Sequence, residues 1–206
     1  MPSSQPNYNY KLTYFDARGA AELSRFILAY AGVPYQDIRV PRDQWAALKP
    51  KTLFRQLPFL EIDGRPFGQS VAFARLLAKK YNLAGATDEE QAHVDAIIDY
   101  QKDMTQAIRK WHMEKDEAVK ATLQEEYFRT TAPEHLDVLQ SHLKGHFFAS
   151  SGVTFADFAI AIFLGNMLRR NAAALDKHAA LKEHLERVNS LPGIKEWIAR
   201  RPETEN

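Results

Sequence analysis

The hydrophobic and polar positions change period repeatedly along the first eighty residues. Lys11 to Tyr14 alternates as a short strand, Gly19 breaks the run, and Ala20 to Ala31 has the spacing of an amphipathic helix. After the turn at Gly32-Val33-Pro34, YQDIRV alternates again like a half-buried strand, and RDQWAALK has room for one or two helical turns. QLPFLEI reads as a strand with a proline at its entrance, Asp63-Gly64 is a hairpin signal, and RPF begins the short partner strand. QSVAFARLLAKKYNL is a helix whose apolar positions Val71, Ala74, Leu77, Ala78 and Tyr81 share a face. The predicted order is β-α-β-α-β-β-α.

From Thr87 onward the pattern is helical throughout. Thr87 is a good N-cap followed by three acids, and Ala92, Ala96, Ile97, Tyr100, Met104 and Ile108 keep helical spacing. EAVKATLQEEYFRTTAPEHLDVLQSHLKG reads as a long helix with Pro133 as a kink or joint. GVTFADFAIAIFLGNMLRR opens on Thr154-x-x-Asp157, a capping box with aspartate in the reciprocal position. HAALKEHLERVNSLPGIKEWIARRP gives two further helices divided at Pro192. The boundary falls near 82–87, at NLAGAT. We therefore expect an α/β domain over 1–83 and an all-helical domain over 84–206.

Composition narrows the chemistry. The 206 residues include no cysteine, which removes disulfides, thiolate metal sites and a cysteine nucleophile, and fits a reducing compartment. A net charge of +1 gives no reason to expect a nucleic-acid or membrane partner. Residues 1–83 carry 12 Lys and Arg against 6 Asp and Glu. That excess suits a small anionic ligand there, or is ordinary drift of charge along a chain. The leader MPSSQPNYNY lacks the apolar core of a signal peptide, and FADFAIAIFLGNML is too short to span a bilayer.

Three features of the first half converge on one ligand. Pro58 at the mouth of a strand removes a ladder donor. If the Leu57-Pro58 bond is cis, the Leu57 backbone is free to pair with an extended, peptide-like ligand. Gln69-Ser70 opens a helix, where a hydroxyl, free N–H groups and the helix dipole favour a carboxylate. Trp45, Lys49, Arg55 and Gln56 lie just before Leu57 and suit a second carboxylate and amide contacts. Taken singly, each has a plainer alternative: a strand-entry proline, an N-cap, a solvated loop face.

Together, YKLTYFDARGAAE, LPFLEIDG, QSVAFARLLAKKY, VTFADF and LPGIKEWIARRPET resemble a cytosolic glutathione transferase of the sigma class, over residues 8–204. The resemblance implies a thioredoxin-like first domain, a helical second domain and a cytoplasmic homodimer that conjugates glutathione to hydrophobic electrophiles in detoxification. Tyr14 would be the catalytic tyrosine, with Phe15 beside it. Trp45, Lys49 and Gln56 would hold the glycyl end of glutathione. Leu57, before a cis Pro58, would pair with its cysteinyl unit, and Gln69 and Ser70 would take the γ-glutamyl end. Asp103 would reach glutathione in the neighbouring subunit. Met104, Ile108 and Trp111 are candidates for the electrophile pocket, although such a set serves equally as core. Glutathione is the expected co-substrate, and no metal is expected. Asp95, Asp99 and Asp103 share a helix face, but Lys102 sits among them and opposes a cation site.

The chain also departs from the family pattern. A second arginine often follows the turn glycine, where this sequence has Ala20, and Arg55 replaces a glycine before the cis-proline loop. Two alternatives therefore remain open beside conjugation. One is a glutathione-dependent prostaglandin-H2 D-isomerase. The other is a non-catalytic, ligand-binding or crystallin-like relative.

Overall fold

The structure, a computed structural model, describes residues 8–204; most of the polar leader, residues 1–7, lies outside them. Strand β1 (Tyr10–Phe15) is central in a four-stranded sheet of order β2-β1-β3-β4. Its alternation buries Tyr10 and Leu12. Strand β2 (Tyr35–Val40) runs parallel to β1, which requires a crossover, and helix α1 (Glu22–Tyr30) provides it with Phe26, Ile27 and Leu28 buried. A short helix α2 (Trp45–Leu48) follows. Strands β3 (Phe59–Ile62) and β4 (Arg65–Gly68) form a hairpin. Asp63 and Gly64 both take positive φ at its two-residue turn, as the right-handed twist of the strands demands. Pro66 sits on edge strand β4, where a missing N–H is tolerated. Helix α3 (Ser70–Lys80) buries Phe73, Ala74, Leu77 and Ala78. The thioredoxin-like order is the one expected from the sequence.

The remaining elements are helical. They are α4 (Asp88–His112), α5 (Glu117–Glu126), α6 (Ala132–Ser141), α7 (Phe155–Arg170), α8 (Ala179–Ser190) and α9 (Ile194–Arg200). A π-helical turn, Tyr127–Thr131, joins α5 to α6, so the joint expected at Pro133 begins one turn earlier, and the proline occupies the tolerated first turn of α6. The buried face of α4 is Val94, Ile97, Ile98, Met104 and Trp111. Ala92 and Ala96, which keep helical spacing with Ile97 and Met104, are exposed. They carry little apolar area, and the larger β-branched side chains set the rotation of the helix.

Asp157 organises the second unit. It is fully buried, and its Oδ2 accepts from the Thr154 N–H at 2.7 Å and from the Thr154 hydroxyl at 2.9 Å. Its Oδ1 accepts from the Phe148 N–H at 3.0 Å and lies 2.9 Å from His184 Nε2. The capping residue thus ties the start of α7 to α8 and to the preceding loop. At the start of α4, Glu90 Oε2 accepts from the Ala86 N–H at 2.7 Å and from the Ser151 hydroxyl, and Oε1 accepts from the Ser151 N–H at 2.9 Å. The Ala86 amide first, then the Ser151 donors, push the Glu90 carboxyl down to about 2.

The chain divides into two units, one comprising residues up to Tyr81 together with those from Pro192, the other Asn82–Leu191. The expected boundary near 82–87 lies beside the observed one, but the closing helix α9 was expected in the helical domain and belongs with the first unit. Ile194 and Trp197 are buried, and the Trp197 indole donates to Glu22 of α1 at 3.0 Å. Gly193 makes the approach possible. Its φ is +79°, and a Cβ there would lie 2.2 Å from the Ala29 carbonyl oxygen.

Asp157→Ala is expected to lower stability by about 3 kcal/mol or more in urea unfolding, because several buried donors lose their acceptor at about 1–3 kcal/mol each. A loss below about 1 kcal/mol would contradict this role. Glu90 titrates lower in the folded than in the unfolded chain. Its stabilisation is complete above the ordinary glutamate range and is lost as pH falls towards about 2. Glu90→Gln should therefore be less stable than the parent at neutral pH, with the gap closing in acid; a gap independent of pH would contradict it.

Candidate functional site

The sheet register gathers the sequence-predicted residues at one end. Phe59, first in β3, lies opposite Thr13 on one side and Gly68 on the other. The residues just beyond those three are Tyr14 on β1, Pro58 before β3, and Gln69 after β4. One edge of the sheet thus presents Tyr14, Leu57-Pro58 and Gln69-Ser70 together. The Leu57-Pro58 bond is cis, and the ladder of β3 begins two residues after Leu57, so Leu57 stands outside it.

Tyr14 is half-buried, and its ring meets Phe15 at a centroid distance of 5.6 Å. The turn after β1 is built around its hydroxyl. Gly19 takes φ +38°, and a Cβ there would lie 2.6 Å from Tyr14 Oη and 2.8 Å from its Cε1. The next residue, Ala20, donates its backbone N–H to Tyr14 Oη at 3.4 Å. The phenol oxygen is thus an acceptor from the turn, which leaves its hydrogen to be donated elsewhere. Ala20 lacks the charge of an arginine, and what it contributes to Tyr14 is its backbone amide. The sequence signal for this was the single glycine itself, placed where an N-terminal helical turn otherwise needs none.

Beyond Phe15 the wall continues. Trp45, the first residue of α2, meets Phe15 edge-on at 5.6 Å and 80°, and the Arg42 guanidinium sits 5.3 Å from the Phe15 centroid. Lys49 and Arg55 are exposed. Thr52 ties their loop by donating its N–H, at 3.3 Å, and its hydroxyl, at 2.9 Å, to the Lys49 carbonyl, while the Arg55 N–H donates to the Thr52 carbonyl at 3.2 Å. Phe54 and Arg55 take φ of +56° and +51° in succession. A left-handed conformation costs a residue with a Cβ about 1–2 kcal/mol, so Arg55 occupies a position that a glycine would fill without strain. The Phe54 ring is 67% exposed and leans on Gly68, where a Cβ would lie 2.6 Å from it.

Gln69 and Gln56 meet directly, the Gln69 amide donating to Gln56 Oε1 at 3.1 Å. Gln69 also holds a positive φ, 64°, at the N-cap of α3. Ser70 follows as the first helical residue, so its hydroxyl stands beside N–H groups that no helical carbonyl satisfies. Unpaired N–H groups able to receive an anion at this helix start, and a hydroxyl donor at Tyr14, are the two chemical offers of the site.

The remaining predicted residues lie on α4 in the second unit. Asp103 is exposed, Met104 and Trp111 are buried, and Ile108 is half-buried. Trp111 packs against Tyr127 and Phe128 at 6.2 and 6.5 Å, which makes it part of that unit's core. Lys102 pairs with Asp99 at 2.6 Å on the acidic face of the same helix. Sequence reasoning passed over two buried charges of α1, Glu22 and Arg25, both 1% exposed or less. Polar residues on the inward face of an otherwise amphipathic helix were their only signature.

Two family models match the chain: glutathione S-transferase, N-terminal domain, over residues 10–79, and glutathione S-transferase, C-terminal domain, over residues 102–201. The chain is 40% identical over 201 residues to glutathione S-transferase 1 of Ascaris suum, and 39% identical over 197 residues to the hematopoietic prostaglandin D synthase of Homo sapiens. Each alignment covers 95% of this chain and 98% of the relative. Among solved structures, monomeric Na-GST-3, a glutathione S-transferase from the hookworm Necator americanus, is 38% identical with a TM-score of 0.91, over 96% of this chain and 100% of that one.

Two glycine substitutions separate strain from contact. Gly64 has φ +81° and nothing within 4 Å of an added Cβ, whereas Gly19 has both a positive φ and the Tyr14 ring. Gly64→Ala should cost about 1 kcal/mol by urea unfolding. Gly19→Ala should cost more and displace the Tyr14 hydroxyl in a crystal structure. Equal costs with Tyr14 unmoved would contradict the packing described.

Proposed function

The chain belongs to the glutathione S-transferase family, and from that premise we propose that Tyr14 steadies the thiolate of glutathione for attack on hydrophobic electrophiles. The observation that carries the proposal is the Ala20 amide on Tyr14 Oη, which leaves the phenolic hydrogen to be given to sulfur. A free thiol of this kind has a pKa of about 8.5, so little of it is ionised at neutral pH. Lowering that value by about two units takes roughly 2.7 kcal/mol of selective stabilisation of the anion. A hydrogen bond to charged sulfur in a half-buried site supplies a large part of it. The thiol proton leaves to solvent. The sulfur then forms a bond to an electrophilic carbon, which expels a leaving group or passes its electron pair to a conjugated acceptor that is then protonated.

The remaining residues position the tripeptide. The exposed N-terminus of α3, with Ser70 and Gln69, takes the γ-glutamyl carboxylate and amine. The Leu57 backbone pairs with the cysteinyl unit as an added strand beside Pro58. Trp45, Lys49 and Gln56 hold the glycyl carboxylate, and Phe15 buttresses Tyr14. Ile108, half-buried on α4, is the pocket candidate left accessible to an electrophile, whereas Met104 and Trp111 are buried. Asp103 serves the glutathione of a neighbouring subunit. We place the protein in the sigma class, as a cytoplasmic detoxification enzyme; among the described residues no helix is long and apolar enough to cross a membrane.

The similarity to the human prostaglandin D synthase supports a second reaction at the same thiolate. In it, the sulfur of glutathione would attack one endoperoxide oxygen as the O–O bond breaks, and the other oxygen leaves as an alkoxide that takes a proton to become a hydroxyl. Loss of the proton on the carbon that bears the attacked oxygen then forms a carbonyl as the O–S bond breaks and releases the thiolate again.

Tyr14→Phe is expected to lower turnover of an activated aryl halide at least tenfold, the scale of about 1.4 kcal/mol, with little change in the KM for glutathione. Unchanged turnover would remove Tyr14 from the mechanism. We also propose a homodimer, supported by the exposed apolar pair Leu53 and Phe54, 40% and 67% accessible. Sedimentation should give the mass of two chains, and Phe54→Ser should shift it towards one. A single-chain mass for the parent would contradict the dimer and match what is described for the hookworm relative.

A further inference from the structure

The turn that carries the Tyr14 oxygen is held by three arginines. Arg25 is fully buried. Its Nη1 donates to the Ala17 carbonyl at 2.8 Å, to the Arg18 carbonyl at 3.3 Å, and to Glu22 Oε2 at 3.2 Å. Its Nε and Nη2 both reach Asp37 Oδ1, at 3.2 and 3.1 Å. Asp37 Oδ2 accepts from Arg39 at 3.1 and 2.9 Å, and Arg39 donates to Asp16 at 2.6 Å. On the other side, Glu22 Oε1 accepts from the Trp197 indole and, at 2.8 Å, from Arg201. Finally, the Arg18 guanidinium donates to the Thr204 carbonyl.

Signs alternate along this chain of charges: Arg201, Glu22, Arg25, Asp37, Arg39, Asp16. Its contacts with the turn fall on consecutive residues. Asp16 is held through its carboxylate, Ala17 and Arg18 through their carbonyls, and Arg18 again through its side chain. The next two residues are Gly19 and Ala20, on which the Tyr14 hydroxyl rests. A network needed for stability alone would do as well with apolar packing, since buried ion pairs seldom outperform hydrophobic residues of the same volume. This one directs two of Arg25's five hydrogen bonds to main-chain carbonyls of one turn, and its carboxylates hold the guanidinium in place to make them.

We propose that Arg25 is a positioning residue for Tyr14, and that the segment after α9, through Arg201 and Arg18, is the far anchor of the same bracket. The proposal rests on the reading of Tyr14 as the group that steadies the thiolate. The Ala20 amide contact is long, 3.4 Å, so a shift of the turn by about half an ångström is enough to lose it. The guanidinium fork is what allows one side chain to bridge two carbonyls and two carboxylates; a lysine keeps the charge without the fork.

The experiment is the pH profile of kcat/KM for full-length protein with glutathione and an activated aryl halide. The proteins compared are the parent, Arg25→Lys, Arg201→Gln, Tyr14→Phe and the Arg25→Lys/Tyr14→Phe double variant, each checked for native circular dichroism. Arg25→Lys should raise the acid-limb midpoint by about half to one pH unit and lower kcat about five- to tenfold, with the glutathione KM moving less than about twofold. In the Tyr14→Phe background the same substitution should add no further shift. A folded Arg25→Lys with an unchanged midpoint, or an equal shift without Tyr14, would overturn the proposal. If Arg25→Lys does not fold, Arg201→Gln decides. It cuts the bracket at its partly exposed end and should shift the midpoint in the same direction by a smaller amount, and no shift would overturn the proposal. If Tyr14→Phe leaves the midpoint of the parent unchanged, the reading of Tyr14 itself falls, whatever Arg25 does.

Discussion

One contact organises the candidate site: the hydroxyl of Tyr14 resting on the backbone of Gly19 and Ala20. It requires a glycine, because no Cβ fits beneath the ring. It requires the turn after β1 to present an N–H at the phenol oxygen. It also requires β1 to be central in the sheet, so that Tyr14 emerges beside the cis proline and the start of α3. A thioredoxin-like sheet without cysteine has no thiol of its own to offer at this place. The proposed role of Tyr14 is to offer its hydroxyl hydrogen there to another molecule's thiol.

The energetics divide between the two units. In the helical unit, Asp157 spends its lone pairs on capping and on linking α7 to α8, which is a folding role. In the first unit, Glu22 and Arg25 are as deeply buried, yet Arg25's partners include the main chain of the turn after β1. Strain is concentrated in the same unit. Phe54, Arg55 and Gln69 all hold left-handed backbone angles around the predicted ligand. Three such residues at about 1–2 kcal/mol each are tolerable only in a well-packed frame.

Much of this was legible in the sequence. The alternation of YKLTYF and YQDIRV, the Asp63-Gly64 turn and Thr154-x-x-Asp157 each carry a local rule, and each element stands where its rule put it. The cis state of Leu57-Pro58, left open by spacing, is realised. The misses are long-range. That α9 packs with the first unit depends on the Trp197–Glu22 bond and on Gly193 beneath Ala29, partners about 165 to 175 residues apart in the chain. Helical spacing alone did not fix the rotation of α4: Ala92 and Ala96 keep that spacing and are exposed, whereas Val94 and Ile98 are buried. Ala20 was read by its side chain, whereas its contribution is an amide that every non-proline residue carries. Met104 and Trp111 fit either a pocket or a core by spacing alone, and they are buried.

The central claim concerns the ionisation of a bound thiol, and the most direct measurement is the ultraviolet absorbance of the thiolate in the protein–glutathione complex across pH. The account requires a midpoint about two units below the solution value of about 8.5, and a return towards that value when the Tyr14 hydroxyl is removed. A thiol that titrates near 8.5 in the intact complex would contradict it.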